Sequence, residues 1–67
     1  MELKDFGTNL AKKRIEKNIS AYELSLRIGK NPSYISKAEM GLVNMPLKVI
    51  SSICEVLEIL PKDLLDF

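Results

Sequence analysis

The side chains of this sequence that are best suited to bind a ligand are its lysines and arginines, and they are unevenly distributed. Residues 1–30 hold seven Lys or Arg against four Asp or Glu, which gives a net charge of +3. Residues 31–67 hold three against five, which gives −2. A surplus of positive charge in one half of a chain favours binding to a polyanion such as nucleic acid, with the other half turned away. The alternative is an ordinary solvated surface.

The sequence offers little for catalysis or metal binding. It contains no histidine and one cysteine, Cys54, so an internal disulfide is impossible and a Cys/His zinc site has too few ligands. There is no glycine-rich phosphate loop and no nucleophile with an activating base. We therefore expect no enzyme activity, no metal and no cofactor. Cys54 is expected to be a small core hydrophobe.

Length and hydropathy predict a single soluble domain over residues 1–67. The 67 residues are 46% hydrophobic and 28% charged, which is typical of a globular chain. The start, MELKDFG, lacks the apolar region of a signal peptide. No apolar run approaches the roughly 18 residues of a membrane span. We expect the protein to be cytoplasmic.

Apolar residues recur at helical spacing throughout, which predicts an all-α fold of five short helices. The first helix is expected from about Leu3 to Lys17, with Leu3, Phe6 and Leu10 on one face and a left-handed Asn18 after it. The fourth helix opens at Pro46, and its predicted buried stripe is Leu47, Ile50, Ile53, Cys54 and Leu57. The fifth starts at Pro61 and carries Leu64, Leu65 and Phe67.

Residues 20–40 contain two helix starts separated by one glycine. Ser20 and Glu23 have the spacing of a capping box, in which each side chain bonds the other residue's amide. Gly29 can take the positive φ that ends this second helix. Asn31 is the predicted cap of the third helix, with Pro32 at its first position and Gly41 as its stop.

Two helix starts this close together predict a helix-turn-helix unit. Ser25 is small enough to sit where the two helix backbones approach each other, and the apolar residues facing inward are Leu24, Ile28, Ile35 and Ala38. Helices this short need tertiary packing to be stable. Such a unit projects its second helix, which can enter the major groove of DNA.

The whole pattern resembles the phage-repressor/Cro-type (Xre-like) helix-turn-helix family. The resemblance rests on Leu10 with Arg14, on the segments ISAYELSLRIG and NPSYISKAEMG, and on the apolar helix and Leu64/Leu65 tail that follow. It implies a sequence-specific DNA-binding transcription regulator that inserts its third helix into the major groove.

The resemblance also implies roles for particular residues. The outward face that reads base edges is expected to be Pro32, Ser33, Ser36 and Lys37. Lys37 is the candidate for guanine, through O6 and N7. The expected phosphate contacts are Ser20, Ala21, Tyr22, Asn31, Tyr34 and Asn44, with Ala21 and Tyr22 acting through their amides. Arg14 and Glu39 match a pair that ties the first helix to the end of the third, a structural role rather than a recognition role.

Some positions depart from the family pattern. Ala21 replaces a glutamine that commonly grips a phosphate, and the connector after the third helix is apolar. Its apolar residues are Met40, Leu42, Val43 and Met45. They either pack under the fourth helix, leaving a weaker DNA binder that needs dimerisation, or form an exposed patch for another protein.

The sequence thus predicts a regulator that binds a palindromic operator as a homodimer. The residues available for two-fold pairing are Ile59, Leu60, Leu65 and Phe67. The alternative is a protein-interaction module, such as an antitoxin or a regulator's partner, that uses the apolar residues between Met40 and Met45.

Overall fold

In a computed structural model that describes residues 2–65, the chain folds into five helices without a strand. They are α1 (Leu3–Glu16), α2 (Ala21–Arg27), α3 (Tyr34–Glu39), α4 (Leu47–Leu57) and α5 (Pro61–Leu65). The predicted all-α class is confirmed, and Phe67 lies outside the described residues. None of these helices combines the length and the apolar character that crossing a bilayer would require.

The core lies where all five helices meet. Phe6 and Leu10 from α1 belong to one buried cluster that also contains residues of the other four helices. The buried apolar residues contributed by the other helices and the connector are Leu24, Ile35, Ala38, Met45, Val49, Ile50, Ile53, Cys54, Leu57 and Leu64. Burial, and then the charge of Asp63, raises the pKa of the Cys54 thiol, so Cys54 is a protonated, apolar core residue.

The chain reverses at residues that accept a left-handed backbone. Asn18 has φ 56° and Gly29 has φ 75°, as their sequence positions predicted. Gly41, with φ 77°, directly follows the C-cap residue of α3, as predicted for the stop of this helix. Glu58, which closes α4 with φ 56°, was not predicted, because glutamate rarely takes this conformation.

The buried stripe of α4 differs from the sequence prediction at one position. Leu47 was expected to be buried, but it is 72% exposed. Val49 takes its place in the core and is only 8% exposed. Leu47 and Val49 lie on opposite flanks of the stripe, and the neighbouring helices cover only the Val49 flank.

The packing of α1 against α3 depends on a glycine whose role the sequence pattern does not reveal. A Cβ atom on Gly7 would lie 2.5 Å from the backbone oxygen of Glu39 and 2.6 Å from that of Ala38. Both clashes involve backbone atoms, so no side-chain rotation could relieve them. Glycine at this position therefore lets the end of α3 lie directly on α1.

Candidate nucleic-acid interface

The start of α2 is capped by Ser20, whose hydroxyl accepts a 2.9 Å hydrogen bond from the Glu23 amide. This half of the predicted capping box is present. The Glu23 carboxylate does not return the bond to Ser20 and instead pairs with Arg27 one turn later. Tyr22 is 60% exposed on the same turn, while Ala21 is half-buried and packs against the core.

Ser25 joins α2 to α3 by more than its small size. Its side chain is fully buried, and its hydroxyl donates to the Ala21 carbonyl at 2.8 Å. The same oxygen accepts a 3.0 Å hydrogen bond from the Ile35 amide. This amide lies in the first turn of α3, where it has no helical carbonyl to bond. Ser25 thus fixes the start of α3 against α2.

The start of α3 lies later in the chain than the sequence predicted. Asn31 was expected to cap the helix with Pro32 at its first position, but the helix begins at Tyr34 with Ser33 in the cap position. The Asn31 side chain accepts from the Ser33 amide at 3.1 Å and from the Ser33 hydroxyl at 3.0 Å. Asparagine often forms such local turns in competition with a helix. Pro32 therefore lies in a turn that leads into α3.

The outward side of this turn and of α3 is polar and open to solvent. The four predicted base-contact residues, Pro32, Ser33, Ser36 and Lys37, are all exposed. Ile35 and Ala38 lie on the opposite side and are buried. Within residues 2–65, Lys37 has no carboxylate within ion-pairing distance, so its ammonium is available to a ligand.

The six predicted phosphate-contact residues lie before, within and after this segment of the chain. Ser20, Tyr22, Asn31 and Asn44 are exposed, whereas Ala21 and Tyr34 are half-buried. Burial raises the pKa of the Tyr34 hydroxyl, so at neutral pH it remains a protonated hydrogen-bond donor. The Ser20 and Asn31 side-chain oxygens already bond amides of their own segments.

Arg14 and Glu39 form a two-bond ion pair between α1 and the last residue of α3. Arg14 Nε donates to Glu39 Oε2 at 2.6 Å, and Nη2 donates to Oε1 at 3.2 Å. The third nitrogen, Nη1, donates to the Ile19 carbonyl at 2.9 Å. The two side chains are only 16% and 14% exposed. Their functional groups are thus occupied inside the fold and face away from solvent.

The two interpretations of the apolar connector apply to different residues. Met45 is buried and Val43 is half-buried against the core, as packing under α4 predicts. Met40 and Leu42 are 61% and 68% exposed, as an apolar surface predicts.

A short two-helix unit that rests on a third helix and presents an exposed polar helix face defines the helix-turn-helix class of DNA-binding domains. A family model described as helix-turn-helix matches residues 10–65. The chain belongs to this family, of the Cro/Xre type. Its members are transcription regulators rather than enzymes.

Named relatives give the same class. Control protein C.BamHI of Bacillus amyloliquefaciens is 38% identical over 63 residues, covering 92% of this chain and 78% of that protein. The restriction-modification controller protein C.AhdI from Aeromonas hydrophila superposes with a TM-score of 0.88 at 32% identity, over 94% of this chain and 91% of that one. The clp gene regulator ClgR from Corynebacterium glutamicum shares the fold, with a TM-score of 0.89 at 24% identity, over 98% and 86%. This chain is a DNA-binding transcription regulator.

Proposed function

We propose that residues 1–67 form one DNA-binding domain that binds a palindromic operator as a homodimer, with α3 of each protomer in the major groove. The observation that carries this proposal is the exposed polar face of α3, which is held on α1 by buried contacts. A helix presented in this way can place side chains against base edges. Pro32, Ser33, Ser36 and Lys37 read bases, while Ser20, Ala21, Tyr22, Asn31, Tyr34 and Asn44 contact phosphates. The regulator works in the cytoplasm.

Dimerisation is assigned to the surface formed by α5 and the turn before it. Leu60 and Leu65 are 59% and 36% exposed there. Ile59 is half-buried and lines, with Leu60, an open groove of about 450 Å³ between the end of α1 and the turn from α4 to α5. Phe67, named for the same surface, follows the described residues. The other residues that line the groove are charged: Lys13, Glu16, Lys17, Glu58 and Asp63. A dimer surface formed here rather than by α3 leaves both recognition helices of a dimer free for DNA.

We further propose that the regulated genes belong to a restriction-modification system. The similarity to control protein C.BamHI and to the controller C.AhdI supports this, since both alignments cover more than nine-tenths of this chain.

Selection of bound sequences from a random duplex library tests the proposal. We expect a palindrome whose half-site centres lie about 10 base pairs apart, because two recognition helices on one face of a duplex are one helical turn apart. Sedimentation with the selected duplex should give two chains per site. A non-palindromic motif bound by one chain at saturation would exclude the homodimer.

A second candidate function, a module that binds another protein, is favoured by the exposure of Met40 and Leu42. The dependence of binding on salt concentration distinguishes a DNA-binding protein from a protein-binding module. Binding to DNA weakens steeply as salt rises, whereas a protein bound through these apolar residues should be insensitive to salt.

A further inference from the structure

Lys30 is a cation that neither the charge pattern nor the resemblance assigned to a role. It lies in the turn between α2 and α3, and its side chain is exposed. Its ammonium lies over the ring of Tyr34, 5.3 Å from the ring centroid. This distance is within the range of a cation–π interaction. The turn residue is therefore held against the first residue of the recognition helix.

Among residues 2–65, Lys30 has no carboxylate within ion-pairing distance. The three ion pairs among residues 2–65 use Lys13, Arg14 and Arg27 as their cations, and none of them includes Lys30. The first turn of α3 contains no acidic residue. The start of a helix also carries partial positive charge, which disfavours a cation nearby. An ammonium kept at such a place is free to bind an anion from outside the protein.

The position of Tyr34 indicates which anion this is. Along α3, Tyr34 is one residue beyond Ser33, about 100° around the helix from the base-reading face. It lies between that face and the buried side of Ile35, and it is itself half-buried. A helix in the major groove has its outer face on the bases and its flanks beside the two phosphate backbones.

We propose that Lys30 contacts the DNA backbone, with its ammonium on a phosphate beside the major groove and the Tyr34 ring holding it there. This inference rests on the proposed docking of α3 in the major groove. It gives Tyr34 a positioning role through its ring, in addition to the phosphate contact expected of its hydroxyl. A contact of this kind adds affinity without reading sequence.

Lys30→Met tests the contact, with Lys12→Met as the matched control, because Lys12 is exposed on α1 and is assigned neither to the DNA-facing surface nor to the groove proposed for dimerisation. Binding is measured over a series of salt concentrations, with the selected operator and with a scrambled duplex. Lys30→Met should weaken binding to both duplexes by the same factor. The slope of log affinity against log salt should fall by about 0.9 per protomer, which is about eightfold in affinity for each tenfold change in salt.

The role of the ring is tested by Tyr34→Phe and Tyr34→Leu, each alone and combined with Lys30→Met. Phenylalanine keeps the ring and should keep most of the affinity that Lys30 supplies. Leucine should lose it, and it should add much less to the loss when Lys30 is already Met, because interacting residues are not additive. Melting curves establish that each variant is folded at the assay temperature.

Different results would overturn the Lys30 contact, the role of the Tyr34 ring and the proposed function. If Lys30→Met has the same salt slope as Lys12→Met, Lys30 is not a phosphate contact. If Tyr34→Phe loses as much affinity as Tyr34→Leu, the hydroxyl is the contact and the ring has no positioning role. If the unmodified protein binds no duplex, the proposed function itself fails and this inference fails with it.

Discussion

Glu39→Gln should destabilise the protein without changing which DNA sequence it prefers. The substitution removes the negative charge that receives two hydrogen bonds from Arg14. Arg14 remains charged, since a guanidinium does not deprotonate in proteins. Its Nη1 keeps the bond to the Ile19 carbonyl, but the positive charge loses its counter-charge at a site that is 16% exposed.

The magnitude follows from this exposure. An ion pair on the surface contributes about 0–1 kcal/mol, whereas stranding one charge of a fully buried pair costs about 3–5 kcal/mol. The Arg14 and Glu39 side chains, at 16% and 14% exposed, lie nearer the buried case. We expect a loss of about 2–3 kcal/mol, discounted from the buried value for the remaining solvent. For a domain of this size such a loss lowers Tm by about 10–20 °C.

Thermal unfolding followed by circular dichroism measures the effect. Arg14→Met should be comparably destabilised, because it leaves the Glu39 carboxylate unpaired. The double variant Arg14→Met with Glu39→Leu should recover part of the loss, since no charge is then stranded. Glu16→Gln is the control, because the Lys13–Glu16 pair is long, at 3.6 Å, and its carboxylate is 52% exposed. It should change stability by less than about 1 kcal/mol.

Measurements of DNA binding test whether the role of the Arg14–Glu39 pair is structural. Where the single variants are folded, they should bind with unchanged sequence preference. A Glu39→Gln protein that melts normally and yet fails to bind its operator would exclude a purely structural role for the pair, and would place Glu39 at the DNA surface.

Three further predictions concern the contacts around α3. Lys37→Ala should weaken operator binding by about 1–3 kcal/mol and relax preference at one base pair per half-site, as seen in a repeated selection; an unchanged motif would exclude base reading by Lys37. Ser25→Ala should cost about 1–3 kcal/mol in chemical denaturation, because the buried Ile35 amide loses its acceptor, and the exposed Ser51→Ala is the control. Gly7→Ala should destabilise by about 1–3 kcal/mol or more, because its Cβ would meet backbone atoms of α3; unchanged stability would show that α3 can move aside.

Sequence patterns predicted the elements that depend on local chemistry. The structure confirms Ser20 as a cap, Asn18 and Gly29 as left-handed residues and Pro61 as a helix start. Each is decided within a few residues of chain, by a side chain that bonds a nearby amide or by a backbone that accepts positive φ. The apolar pattern of α2 and α3 also predicted which side chains face inward, since Leu24, Ile35 and Ala38 are buried.

The misses required knowledge of neighbours in space. Whether Leu47 or Val49 completes the stripe of α4 depends on which flank the other helices cover, and helical periodicity does not contain that information. Asn31 could equally cap a helix or form a local turn, since both use the same side-chain oxygen. For Gly7 the sequence offers only a weak signal, which is a glycine inside a predicted helix. The reason for this glycine is the close approach of the α3 backbone. Which exposed residues touch DNA stays a prediction.

The residues of α3 fall into two independent sets: those on the inner side, which hold the helix in place, and those on the exposed face. Its inner side is fixed by a backbone approach at Gly7, by the Ser25 hydroxyl and by the Arg14 guanidinium, none of which involves the exposed face. If α3 docks as proposed, we therefore expect changes at exposed positions to alter what the helix recognises without altering where it lies. New target sites would then require the exchange of only a few solvent-facing side chains, and two such proteins in one cell would remain structurally alike while controlling separate genes.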